Sequence, residues 1–278
     1  CSDHSPAFLL EGSGALRAHV REPDRASRRQ IARPNNRPLT PIALYVAIGD
    51  IHATLEALTA ALAALVKDLR EGLLCVGDIV GYNADSDDCA ALLKAQGVLT
   101  IAGNHDLISV GRLGIERCST NAMHSLKRTR RRIRPRTREY LCSLPSALEV
   151  EDRVVLVHGG VRDVQQYMTR PHHAQENAPY LRADFPGRRI CFYGHMHEQK
   201  VFEVAVDGIV RDLPVTGITR LHPDREYFVN PGSVDASRKH AHKLAEFALF
   251  DSGALTVEFF RVPYDDALTE AKAAAGGY

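Results

Sequence analysis

No apolar run in this chain approaches the roughly 18 residues that a membrane-crossing helix needs, which excludes such a helix. The opening stretch, CSDHSPAFLLEGSGALRAHV, has no basic leader followed by a long apolar segment, so it makes a poor secretory signal. No two cysteines stand in a C-x-x-C pair. The six, at positions 1, 75, 89, 118, 142 and 191, are scattered, which argues against a thiolate zinc site. Cys75 and Cys191 lie inside apolar runs, where a thiol behaves as a small core residue. Reduced cysteines and a cytoplasmic setting follow as the expectation.

Net charge is also nearly missing, at +1. That balance hides an uneven distribution. Residues 17–37 carry seven arginines against Glu22 and Asp24, and residues 127–138, KRTRRRIRPRTR, carry eight basic groups and no acid. With 278 residues, 45% hydrophobic and 25% charged, the chain suits an ordinary globular protein that buries a core without disulfides. Residues 1–41, rich in Arg, Pro, Ser and Asn, read as a basic flexible arm. Residues 42–265 read as one domain and 266–278 as a C-terminal tail or frayed helix.

What the chain has is a recurring theme. ALYVAI is followed by Gly49 and Asp50, GLLCV by Gly77 and Asp78, and VLTIA by Gly103, Asn104, His105 and Asp106. RVVLV is followed by His158, Gly159 and Gly160, and RICFY by Gly194, His195 and His197. Short continuous apolar runs suit strands buried on both faces. Between them, leucines at 55, 58, 62, 65 and 69 make a helical stripe with Thr54 as its cap, and SDDCAALLKAQG reads as a helix capped by Ser86 and stopped at Gly97. Strand–helix alternation describes an α/β unit. After residue 198, QKVFEVAV, GIVRDL, EYFVN, KLAEFALFD and ALTVEFFRV read as a second, mostly antiparallel set of strands.

In an open α/β sheet, function gathers at the carboxyl ends of the strands. Here those ends offer Asp50, His52, Asp78, Asn104, His105, Asp106, His158, His195 and His197. A set of imidazole, carboxylate and amide oxygen favours hard or borderline divalent ions. The candidates are too many for one ion, and two ions about 3.5–4 Å apart suit in-line displacement at phosphorus.

GDIH at 49–52, GDIVGY at 77–82, GNHD at 103–106, VHGG at 157–160 and GHMH at 194–197 stand in the order of the calcineurin-like metallophosphoesterase family. Together with NPGSV at 230–234, they resemble its small prokaryotic branch over residues 42–262. The resemblance implies a four-layer αββα sandwich of two mixed sheets flanked by helices, with a dinuclear metal site at the strand carboxyl ends. It implies that Asp50, His52 and His197 hold one ion, that Asn104, His158 and His195 hold the other, and that Asp78 bridges them. Manganese is the favoured ion, with iron, zinc, nickel or cobalt as alternatives. His105 would sit over the substrate to stabilise phosphoryl oxygens or protonate the leaving oxygen, and Asp106 would orient it by a hydrogen bond. The implied reaction is hydrolysis of a phosphomonoester or phosphodiester by a metal-bound hydroxide, on a small anionic or nucleotide-like substrate. The rivals are a protein phosphatase and a nucleic-acid-binding module on the same scaffold.

Two features depart from the branch. It often reads D-I-H-G-N where this chain has Ala53 and Thr54, and the segment after GNHD, which usually carries an aromatic residue, is arginine-rich here. Arg130, Arg131 and Arg132 read either as a solvated helical face or as a substrate-binding cap, where the guanidinium fork grips phosphate. His172 and His173 read as surface loop residues, and Asn230 and Ser233 as turn formers.

Overall fold

ALYVAI forms strand β1 (Leu44–Ile48), and the alternation continues through helix α1 (Leu55–Ala63), β2 (Glu71–Cys75), α2 (Ser86–Ala95) and β3 (Leu99–Thr100). Then come α3 (Asn104–Ser109), α4 (Thr120–Arg132), α5 (Pro135–Ser143), β4 (Leu148–Val150), β5 (Val154–Leu156), α6 (Pro171–Asp184) and β6 (Ile190–Phe192). Strands follow: β7 (Gln199–Val204), β8 (Val210–Leu213), β9 (Ile218–Arg220), β10 (Glu226–Pro231), β11 (Leu244–Asp251) and β12 (Thr256–Pro263), with α7 (Asp266–Gly276) closing the chain. The structure is a computed structural model that describes residues 44–64, 71–235 and 243–278. The arm expected at 1–41 lies outside the described residues.

Two six-stranded sheets result, in the orders β3-β2-β1-β11-β12-β9 and β4-β5-β6-β10-β7-β8. Both are mixed: β1, β2 and β3 are mutually parallel, as are β5, β6 and β10, whereas β11 and β7 run antiparallel to their neighbours. Alternate residues of each strand face opposite ways. Tyr45 and Ala47 of β1, Phe192 of β6 and Tyr227 and Val229 of β10 therefore meet in the core between the sheets. Val46 and Ile48 face the layer with Leu58, Leu93 and Leu141 from α1, α2 and α5. Val155, Cys191 and Phe228 face Ala174, Ala178 and Leu181 of α6. The layers are α, β, β, α. Burying a large apolar side chain such as Phe192, fully inaccessible here, contributes about 1.5–3 kcal/mol.

Four local expectations change. The strands after residue 198 do not form a separate set. β7, β8 and β10 complete the second sheet, while β9, β11 and β12 extend the first. Thr54 occupies the N-cap of α1, yet its hydroxyl donates to Asp235 at 2.7 Å and makes no cap bond. The N-cap of α2 is Asp85, with Ser86 inside the helix. The stretch 266–278, read as a tail or frayed helix, is helical to Gly276 and anchored rather than frayed. Asp265 caps it through Leu268, and Lys272 reaches Glu56 and Asp85 at 2.5 and 2.9 Å.

Candidate metal centre

Parallel pairing aims the carboxyl ends of β1, β2 and β3 in one direction, and those of β5 and β6 likewise. The loops beyond those ends bring Asp50, His52, Asp78, Asn104, His105, His158, His195 and His197 together, and all are buried. Asp50, His52 and His197 place donor atoms within 4.8 Å of one another, and so do Asp78, His158 and His195. His52, Asp78 and His105 form a further such group. Each of the three could hold a metal ion.

Asp78 lies at the middle. Its Oδ1 accepts the backbone N–H of His105 at 2.8 Å. Its Oδ2 lies 3.3 Å from His158 Nε2 and 3.8 Å from His52 Nε2. His158 Nε2 is also 3.0 Å from Asn104 Oδ1, while its Nδ1 lies 2.7 Å from the Val76 carbonyl oxygen. On the other side, His52 Nε2 and His197 Nε2 face each other at 3.0 Å, and His197 Nε2 is 3.7 Å from Asp50 Oδ1. Two ring nitrogens aimed at one another beside a carboxylate are the donor geometry of a cation site. His195 Nε2 is buried without a hydrogen-bond partner, which suits a ligand atom directed at an ion. The donor set thus fits divalent metal.

Burial and neighbouring charges pull these groups in different directions. Burial and the neighbouring positive charge of His158 push His195 down to about 3, so its imidazole is neutral, the form that ligates. Burial opposes ionisation of Asp78, but His158 and His105 hold it well below the usual carboxylate range. Burial would lower His158 too, yet the Asp78 carboxylate raises it to about 9. Burial and the Asp78 charge lift Asp106 up to about 7, against its backbone N–H donors.

The backbone carries a signature that residue types alone do not reveal. Asp50, His52, Asp78, His195 and His197 all have positive φ, between 48° and 72°. Each such conformation costs of order 1–3 kcal/mol outside glycine and persists only where the surroundings impose it. These candidate ligands themselves make the sharp turns. At Gly103 the requirement is different: an added Cβ would overlap Asp78 Oδ1 and backbone nitrogen, so glycine there permits close approach.

Several polar groups impose this geometry. The Ser233 hydroxyl donates to the Asp50 carbonyl at 2.9 Å, and Asn230 Nδ2 to the Gly194 carbonyl at 3.0 Å. Both side chains are fully buried, so their work goes beyond the turn that NPGSV suggested. Asn83 Nδ2 lies within 3.0 Å of the His52 carbonyl, Thr54 Oγ1 and Asp235 Oδ1. Asp106 accepts from the backbone N–H groups of Ile79 and Gly103 at 2.9 Å and Val80 at 3.2 Å. It thereby staples the loop after β2 to the turn that precedes His105.

Arg130, Arg131 and Arg132 are exposed at the last turn of α4. Arg132 donates to the Gly276 carbonyl at 2.9 Å and lies over the Tyr278 ring. His173 sits in the first turn of α6, where its Nδ1 accepts from Thr169 and Arg170, while His172 is exposed. Sequence reading overlooked Tyr82, whose ring lies 4.7 and 4.8 Å from His52 and His105, and Tyr167, 4.0 Å from His195. GDIVGY displayed Tyr82; no local pattern marked Tyr167.

Residues 44–253 match the calcineurin-like phosphoesterase superfamily domain. The chain belongs to that superfamily of phosphoester hydrolases, whose members use divalent metal ions. It is 27% identical over 227 residues to an uncharacterized protein of Methanocaldococcus jannaschii, MJ0912, covering 80% of this chain and 88% of that one. The fold is similar to a metallophosphoesterase from Sphaerobacter thermophilus, with TM-score 0.69 and 26% identity over 85% of this chain and 95% of that one. Hypothetical protein PH1004 from Pyrococcus horikoshii shares the fold, with TM-score 0.65 and 19% identity over 84% of this chain and 93% of that one. Among the described residues, no helix is long and apolar enough to cross a membrane.

Proposed function

We propose that this chain is a metal-dependent phosphoesterase that hydrolyses a small anionic or nucleotide-like phosphomonoester or phosphodiester. The observation that carries the reading is the position of Asp78 Oδ2, shared between His52 and His158 and so between the two ligand groups. In this reading Asp50, His52 and His197 hold one ion, Asn104, His158 and His195 hold the other, and Asp78 joins them. Two divalent ions, manganese by our inference from the mixed oxygen and nitrogen donors, would supply Lewis acidity and a water acidic enough to ionise near neutral pH.

The remaining residues orient and exchange protons. His105 lies against His52 and Tyr82 with ring centroids 4.6 and 4.8 Å away, at the edge of the ligand set. From there its ring stabilises charge on phosphoryl oxygens or protonates the leaving oxygen. Asp106 acts as a positioning residue, through the backbone it staples on both sides. The exposed charges of Arg130 and Arg131 add a positive field that attracts polyanions. The free thiols of Cys75, Cys89, Cys118, Cys142 and Cys191 favour a reducing, cytoplasmic setting.

The test is turnover of a panel of monoesters, linear and cyclic diesters, nucleoside polyphosphates and phosphopeptides by the manganese-loaded full chain. Hydrolysis should vanish on chelation, return with manganese, and be lost in Asp78→Asn while metal stoichiometry falls. Activity that survives Asp78→Asn would overturn the reading. Hydrolysis confined to phosphopeptides would replace it with a protein phosphatase.

A further inference from the structure

Tyr167 is the aromatic side chain that the reaction chemistry leaves without a task. Its ring centroid lies 4.0 Å from that of His195, at an interplanar angle of 33°, yet 54% of the residue is exposed. Tyr167 thus rests on a candidate metal ligand while about half of it stays open to solvent.

The segment that bears it is pinned on both sides. Before it, Arg117 grips both carboxylate oxygens of Asp163 at 2.9 Å and the Gln165 carbonyl at 3.0 Å. Asn177 accepts from Val161 N–H at 2.7 Å and donates to Gln166 Oε1 at 3.0 Å. After it, buried Met168 accepts the Tyr193 hydroxyl at 3.1 Å, and His173 accepts from Thr169 and Arg170. Neighbours fixed at this density hold a ring that solvent still reaches. A preorganised, exposed aromatic face beside a charged centre binds planar groups at small entropic cost.

We infer that Tyr167 is a specificity-determining residue, on whose face the leaving group of the substrate stacks, so that the preferred phosphoesters carry a planar ring such as a nucleobase or aryl group. A stacked ring would lie about 3.5–4.0 Å above the tyrosine. The phosphoryl group would then fall beside His195 and His158. This inference rests on the phosphoesterase reading and narrows it to ring-bearing esters.

The experiment measures binding of adenosine 5′-monophosphate and of ribose 5-phosphate to the manganese-loaded full chain by calorimetry. Wild type, Tyr167→Ala and Tyr167→Phe are compared. Stacking one base predicts that the wild type prefers the ring-bearing phosphate by roughly five- to a hundred-fold. Tyr167→Phe should keep that ratio and Tyr167→Ala should bring it close to one, with manganese affinity held in both. Equal binding of the two phosphates by the wild type, or a ratio that survives Tyr167→Ala, overturns the inference. So does a parallel loss of both phosphates and of manganese in Tyr167→Ala, which would make the ring a shield for His195. Turnover of ringless phosphoesters by the wild type judges the phosphoesterase reading separately.

Discussion

The Ser233 hydroxyl donates to the backbone carbonyl of Asp50 across 2.9 Å, tying together residues 183 positions apart in the chain. The same carbonyl also accepts from Asp235 N–H at 3.1 Å. Ser233→Ala therefore removes one donor from that oxygen while the Asp235 N–H stays, and the stability cost should be about 1 kcal/mol, read from urea denaturation. The larger effect should fall on manganese affinity, because Asp50 is held at φ 49° by these contacts. Unchanged metal affinity would show that the loop keeps its shape without the hydroxyl.

Gly103→Ala tests close approach. The new Cβ has no room beside the Asp78 carboxylate and backbone, both fixed by further hydrogen bonds. Overpacking of this kind costs about 1–3 kcal/mol. We expect a lowered melting temperature together with loss of phosphoesterase turnover. A folded, fully active variant would mean that the two loops separate more easily than their contacts suggest.

Arg130→Ala combined with Arg131→Ala should weaken binding of polyanionic phosphoesters at low ionic strength and have little effect at high salt. Both side chains are exposed, so their charge acts at a distance and is screened. Arg132 is left in place because it serves the end of α7. Identical kinetics at every salt concentration would reduce the run to a solvated face.

Lys272 ties α7 to α1 through Glu56 and to the start of α2 through Asp85. Burial pushes the Glu56 carboxyl up, but hydrogen bonds from Lys272, its own backbone and Thr269 leave it below its ordinary 4.5. A carboxyl lowered on folding stabilises the protein above its unfolded pKa, and that stabilisation is lost as pH falls through the folded value. The clamp should thus act fully at neutral pH and fade from about pH 4.5 downward. Lys272→Ala should cost at most about 1 kcal/mol at pH 7, since Lys272 is one-third exposed, and should flatten the acid limb of a denaturation series. A limb as steep in the variant as in wild type would place the acid sensitivity elsewhere.

The loops of the candidate site were legible because each follows a strand buried on both faces, where apolar continuity and a sudden His or Asp stand out together. The αββα layering came from the resemblance those loops carry, not from periodicity. Other features gave no local signal. β4 and β9 span three residues each, too few to show alternation. The split of the late strands depends on β11 pairing with β1, a contact between distant segments. The last helix looked like a tail because its hold comes from Lys272, which meets Glu56 some 216 positions away. The left-handed backbone at Asp50, His52, Asp78, His195 and His197 is imposed by tertiary hydrogen bonds, and nothing in the neighbouring residues announces it.

β1 lies between β2 and β11, with Leu44 opposite Asp251 and Ala47 opposite Ala248. The first strand of the domain therefore waits for one of the last before its second edge is satisfied. A growing chain on the ribosome has all its prospective ligands outside long before the frame that disciplines them exists. Pairing between segments this far apart is what gives the candidate ion site its frame, and such non-local contacts form slowly.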